Sequence, residues 1–162
     1  MNPYLEILKK LNVSGIKYVV VGLFGINFYS DSAATSFSTN DLDVFIDPTV
    51  DNVKRSCNCL KELDMNLSFK TGKETVKEYS DKDLLTVVRE RKVIVASDQY
   101  GIVVEFLLQI SGLTFAEINN NAKIFNVEGI PVRVGKLEDL LLSKRIAGRK
   151  KDKLFLKRFE AE

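Results

Sequence analysis

The stretch Thr39-Asn40-Asp41-Leu42-Asp43-Val44-Phe45-Ile46 decides how this chain is read. Leu42, Val44, Phe45 and Ile46 are apolar, in part β-branched or aromatic, and favour a strand that Pro48 ends. Successive strand side chains point to opposite faces, so Asp41 and Asp43 share one face, roughly 7 Å apart at Cα, while Leu42 and Val44 face the other way. Acids at that spacing can ligate one hard cation together or bridge two, and Mg²⁺ takes oxygen ligands while keeping water and substrate phosphate in its shell. Taken alone, the pair is more often the mark of a solvated strand face.

Working outward, Tyr18-Val19-Val20-Val21 is a β-branched run ended by Gly22, and Leu23 to Tyr29 continues as a short helix. Before it, Asn2 or Pro3 starts a helix through Tyr4, Leu5, Ile7, Leu8 and Leu11 that Gly15 closes. The polar Ser30 to Asn40 reads as a loop. Downstream, Val50 to Leu63 has helical spacing at Val53, Cys57 and Leu60. From Met65 to Glu90 the pattern gives only a turn at Thr71-Gly72-Lys73 and a weakly amphipathic stretch at Leu84 to Val88. Lys92 to Ala96 and Ile102 to Leu108, joined by Ser97-Asp98-Gln99-Tyr100-Gly101, read as a pair of strands, as do Lys123 to Val127 and Ile130 to Val134 around Glu128-Gly129. Two helical segments, Leu137 to Ala147 and Lys150 to Glu160, flank Gly148. Strands and helices interleaved at these spacings imply an α/β or α+β fold, a mixed β-sheet flanked by helices, as one domain over residues 1–162.

Composition narrows the chemistry. The 162 residues carry 24 Lys and Arg against 22 Asp and Glu, two cysteines and no histidine. Without His, a Cys/His zinc site, a Ser–His or Cys–His nucleophile pair and an imidazole base are all excluded, and carboxylates become the carriers of any reaction. Cys57 and Cys59, two apart on a helix, point in different directions and read as packing residues of a cytoplasmic protein. The longest run without a polar side chain, Tyr18–Ile26, falls far short of the roughly 20 residues that cross a bilayer, so no membrane partner is expected.

A third acid stands out. Glu105 sits inside Ile102-Val103-Val104-Glu105-Phe106-Leu107-Leu108, where a lone charge is costly unless paired, metal-bound or facing a cleft; the bland reading is an outward residue on an edge strand. Gly22, between strand and helix, lets backbone N–H groups approach phosphate oxygens, although glycine is common in such turns. The order strand, Gly22, helix, loop, Thr39-x-Asp41-Leu42-Asp43, later strand with Glu105 resembles the nucleotidyltransferase superfamily of DNA polymerase β type. The closing section is similar to that of the small minimal or AbiEii-like members: Ile130-Pro131-Val132-Arg133-Val134, Leu137-Glu138-Asp139-Leu140, then Lys144-Arg145-Ile146-Ala147-Gly148-Arg149-Lys150-Lys151-Asp152.

The resemblance implies transfer of a nucleoside monophosphate from an NTP to an acceptor, RNA, protein or small molecule, with two Mg²⁺ or Mn²⁺ ions. It assigns metal and catalytic roles to Asp41, Asp43 and Glu105, and nucleotide contacts to Gly22, Leu23, Thr39, Lys144 and Arg149, with Asp152 pairing with one of the two cations. An antitoxin-like protein is the partner that the toxin members imply. Three positions depart from the family pattern: Leu23 follows Gly22 where Gly or Ser is usual, Phe37 occupies a place commonly held by Arg, and the third acid is Glu105 rather than Asp. Leu23 and Phe37 favour an alternative, a catalytically degenerate domain that binds nucleotide, RNA or a protein; a nucleotide-sugar glycosyltransferase ranks last for want of room.

Between Ser143 and Arg158 lie eight cations, Lys144, Arg145, Arg149, Lys150, Lys151, Lys153, Lys157 and Arg158, against Asp152. Such a concentration suits a nucleic-acid backbone or a triphosphate, and equally a solvated helix whose Leu154, Phe155, Leu156 and Phe159 bury the other side.

Overall fold

The structure, a computed structural model, describes residues 2–30, 41–69 and 78–161. The Asn2 side chain accepts the Tyr4 amide at 2.8 Å and Pro3 occupies the first turn, which together start helix α1 (Pro3–Val13). Gly15, at φ +66°, turns the chain into β1 (Tyr18–Val21), which runs directly into α2 (Gly22–Asn27). There follow β2 (Asp41–Ile46), α3 (Val50–Glu62), β3 (Asn66–Phe69), α4 (Asp81–Arg89), β4 (Ile94–Ser97), β5 (Val103–Leu107), α5 (Phe115–Asn121), the hairpin β6 (Lys123–Val127) and β7 (Ile130–Val134), then α6 (Leu137–Ala147) and α7 (Lys150–Ala161). Thr39, Phe37 and the expected turn at Thr71-Gly72-Lys73 lie outside the described residues.

The seven strands form one mixed sheet in the order β3-β4-β5-β2-β1-β7-β6. β2 lies at its centre, parallel to β5 and antiparallel to β1, and β1 is parallel to β7. The pleat sorts the residues of β2 and β5. Leu42, Val44, Val104 and Phe106 are wholly buried on one face, while Asp41, Asp43 and Glu105 stand half-buried on the other. A slip of one residue would drive the acids into the core and expose four apolar side chains, each stabilising the fold by about 1.5–3 kcal/mol, so hydrophobic burial fixes where the acids point. Asn52 of α3 reinforces the register: its side-chain amide donates to the Lys17 and Asp47 carbonyls and its oxygen accepts the Lys17 amide, all at 3.0 Å, which pins the start of β1 to the end of β2.

The structure adds and corrects elements. β3 and α5 carry no hydrophobic period in the sequence; α5 starts at a reciprocal cap in which Thr114 and Glu117 bond each other's backbone amides. β5 is an interior strand between β4 and β2, and its burial alternates residue by residue, so Glu105 is not an outward residue on an edge. Leu154 of α7 is 56% exposed, so the reading of α7 as a solvated helix that buries Leu154 with Phe155, Leu156 and Phe159 fails at that residue; the one fully buried residue of α7 is Asp152. Cys57 and Cys59 are both buried and unbridged, and burial pushes the Cys57 thiol up to about 12. Among the described residues no helix is long and apolar enough to cross a membrane.

Candidate active site

The site begins with a backbone register. In the parallel ladder Asp43 pairs with Glu105, and across the antiparallel ladder it pairs with Val21, the residue before Gly22. Residues paired across a ladder share a face and stand side by side, so three strands deliver Asp43, Glu105 and the β1–α2 junction to one point. Asp41, two residues earlier on β2, lies on the same face.

Gly22 is required there on two counts. Its φ of +67° is in the left-handed region, and a Cβ at that position would lie 2.5 Å from Asp43 Oδ2. Any side chain would displace the carboxylate, so the glycine makes room for Asp43 and brings the backbone of the junction against it.

Asp43 is held in an unusual state. Burial pushes its carboxyl up to about 7, helped by the negative charge and hydrogen bonding of Glu105 and by the charge of Asp41; Lys144 acts in the opposite sense. Among the described residues, its buried Oδ1 has no hydrogen-bond partner. Among the described residues, the cations that line the same cleft, Lys144, Arg149 and Lys151, all come from the α6–α7 segment. Among the described residues no three acids are gathered as a ready metal cage, and the side chains that could hold a divalent cation are Asp43 and Glu105, with Asp41 beside them.

These acids line one wall of a cleft of about 890 Å³. Leu23 lies beside Gly22, and Ser143, Lys144, Arg149 and Lys151 form the facing wall from α6, α7 and their junction. Gly148 closes α6 in the left-handed conformation at φ +60°, which turns the chain so that Arg149 comes back towards Lys144. Asp152 joins the two: Arg149 Nε donates to it at 2.7 Å and Lys144 Nζ at 3.4 Å. Burial opposes ionisation of Asp152, but Arg149 and Lys144 outweigh it and hold the carboxyl below its ordinary value. Asp152 thus pairs with both cations, where the sequence suggested one.

Every expected site residue that the structure describes, Gly22, Leu23, Asp41, Asp43, Glu105, Lys144 and Arg149, borders this cleft. Gln109, Ser111 and Phe155 border it too, and the sequence does not mark them: the first two are isolated polar residues with no spacing signal, and Phe155 has the pattern of a packing residue. The Lys144 ammonium sits 5.0 Å from the centre of the Phe155 ring, so the ring both packs and holds a cation.

Comparison with solved structures finds a similar fold in one of the three that follow. The solution structure of antibiotic-resistance factor ANT(2'')-Ia is similar over 87% of this chain and 69% of its own, with a TM-score of 0.50 and 7% identity. A Helicobacter pylori protein assigned as a nucleotidyltransferase aligns over 87% of this chain at 14% identity (TM-score 0.42), and JHP933 from the same organism over 87% at 13% (TM-score 0.41). The chain spans 55% and 53% of the length of those two. No curated relative matches it. The family described as "Nucleotidyl transferase of unknown function (DUF2204)" matches residues 1–161, nearly the whole chain, and it is to this nucleotidyl transferase family that the chain belongs.

Proposed function

We propose that the chain transfers a nucleoside monophosphate from an NTP to an acceptor hydroxyl, with Mg²⁺ or Mn²⁺ held by Asp41, Asp43 and Glu105. One observation carries the reading: Asp43 and Glu105 stand in register on adjacent strands, facing Lys144 and Arg149 across one cleft. A carboxylate oxygen that is buried and has no hydrogen-bond partner among the described residues, beside two further acids, fits a hard divalent cation, whose charge would offset the burial and the repulsion from Glu105 that raise the Asp43 carboxyl. Such an ion, when bound, neutralises the triphosphate and favours in-line displacement at the α-phosphorus.

The remaining roles fall to the chain itself. Lys144 and Arg149 bind the β- and γ-phosphate oxygens by charge-assisted hydrogen bonds, and the Gly22–Leu23 backbone, free of a side chain at Gly22, lies against the phosphates. Glu105 receives the proton of the acceptor hydroxyl as the new O–P bond forms and the bond to the pyrophosphate oxygen breaks. Leu23 offers an apolar surface beside the phosphates and no hydroxyl.

The test is transfer itself. An NTP labelled at the α-phosphate is incubated with the chain, Mn²⁺ and a cell extract, which is then split into RNA, protein and small-molecule pools. Label that enters one pool with wild type and is absent with Asp41→Asn/Asp43→Asn supports the reading. Label in no pool, with NTP still bound, would move the function to binding alone.

A further inference from the structure

Helix α7 buries a single residue, and that residue is a carboxylate. The Asp152 side chain is 0% exposed, and it receives four donors: Arg149 Nε at 2.7 Å, Arg149 Nη2 at 3.2 Å, the Arg149 amide at 3.3 Å and Lys144 Nζ at 3.4 Å. A helix that rests on its neighbour through half-buried rings gains little from burying an acid, because withdrawing a charge from water is costly even when it is paired. The acid is better explained by what it restrains.

Lys144 bonds one carboxylate and shares its cleft with a second set. On its own side is Asp152; across the cleft are Asp43 and Glu105, with Asp41 beside them, and the ammonium already moderates the charge at Asp43. The lysine stem is long and flexible, its side chain is only 14% exposed, and attraction between opposite charges grows where water is partly excluded. A lysine freed from Asp152 is drawn by that attraction towards the acid pair.

We propose that Asp152 is a positioning residue that holds the Lys144 ammonium on the α6–α7 wall, leaving Asp43 and Glu105 open to a divalent cation and the ammonium open to phosphate. This rests on the metal-dependent reading above. Arg149 serves as the second clamp, keeping the Asp152 carboxylate ionised and aimed at Lys144, and the Phe155 ring closes the other side of the ammonium.

The experiment measures Mn²⁺ binding to the full chain, without nucleotide, by calorimetry and electron paramagnetic resonance. Asp152→Asn should bind Mn²⁺ about tenfold more weakly than wild type, the size expected when a residue that orients a metal site from behind is lost. The double variant Asp152→Asn/Lys144→Met should recover to within about threefold of wild type, because no ammonium is left to compete. Asp152→Asn binding Mn²⁺ as wild type does, or a double variant as weak as the single one, would overturn the proposal; the latter would leave Asp152 a structural residue only. Should Asp152→Asn fail to fold by circular dichroism, Lys144→Met alone decides: binding as tight as wild type or tighter supports the restraint, and clearly weaker binding overturns it. Wild type that binds no Mn²⁺ removes the metal-dependent reading and this inference together, whereas wild type that binds alongside an unaffected Asp152→Asn removes this inference alone.

Discussion

The two walls of the cleft are built by different physics. Asp41, Asp43 and Glu105 stand on β2 and β5 in the middle of the sheet, where Leu42, Val44, Val104 and Phe106 on the reverse face lock the register. Lys144 on α6 and Arg149 at the α6–α7 junction belong to a helix pair that buries Leu140 and Asp152 and leaves Ile146 and Leu154 more than half exposed. The acid wall is placed by the hydrophobic core and the backbone ladder, and the cation wall by a buried carboxylate and side-chain contacts. Local stability follows the density of buried contacts, so the acid wall is the fixed reference and the cation wall the part that adapts to a ligand.

The largest effect should come from the fixed wall. Asp43→Asn should lower transfer by about a thousandfold, the scale on which a charged group that organises a transition state acts, while leaving the chain folded. It should also stabilise the protein at high pH. The carboxyl is raised from 3.8 to about 7, so between those values the folded chain keeps a proton that the unfolded chain has released. Stability therefore falls as pH rises through that window and stays lower above it, and Asn escapes this loss. The gain over wild type, on the order of 2–4 kcal/mol at pH 8 and near zero at pH 4, is read from denaturant midpoints at the two pH values.

Next in size, Gly22→Ala tests whether backbone geometry places the acid. The φ of +67° and the 2.5 Å approach of a Cβ to Asp43 Oδ2 should together lower activity about a hundredfold and stability by about 1–3 kcal/mol, measured by transfer rate and urea titration. An alanine with wild-type activity would show that the acid wall is looser than its ladder implies.

On the adaptable wall the effects should be smaller and of another kind. Lys144→Met and Arg149→Gln should each weaken NTP binding about tenfold and flatten its salt dependence, with less change at the chemical step, so KM rises more than kcat falls. Equal losses in kcat would make the two walls alike. Smallest of all, Leu154→Ser should shift stability by no more than about 0.5 kcal/mol in thermal melts, because the side chain already faces water.

The same contrast explains what could be read from the sequence. The acid wall was legible because period-two alternation at Asp41-Leu42-Asp43-Val44 states which side chains share a face, and an acid in an apolar run marks Glu105. That Asp43 sits opposite Glu105 was not, because the pairing of β2 with β5 joins segments some 60 residues apart and is decided by tertiary packing alone. The β4–β5 and β6–β7 hairpins were legible from their turns. β3 was not: Asn66-Leu67-Ser68-Phe69 contains no β-branched residue and becomes a strand through its ladder with β4. α5 does carry a sequence signal, the Thr114-x-x-Glu117 cap. On α7, apolar spacing placed Leu154 in the core and gave no sign that Asp152 was the residue to be enclosed, since a buried ion pair has no hydrophobic period.

The central claim is that the acid wall and the cation wall act on one metal-bound NTP. Titration calorimetry of NTP into the chain in Mg²⁺ or Mn²⁺, with wild type set beside Asp41→Asn/Asp43→Asn in the same buffer, tests it most directly. The account predicts binding that needs the metal and disappears in the double variant while the protein stays folded. Binding of NTP that is indifferent to metal and unchanged in the variant, or no binding by the folded wild type with either ion, would contradict it.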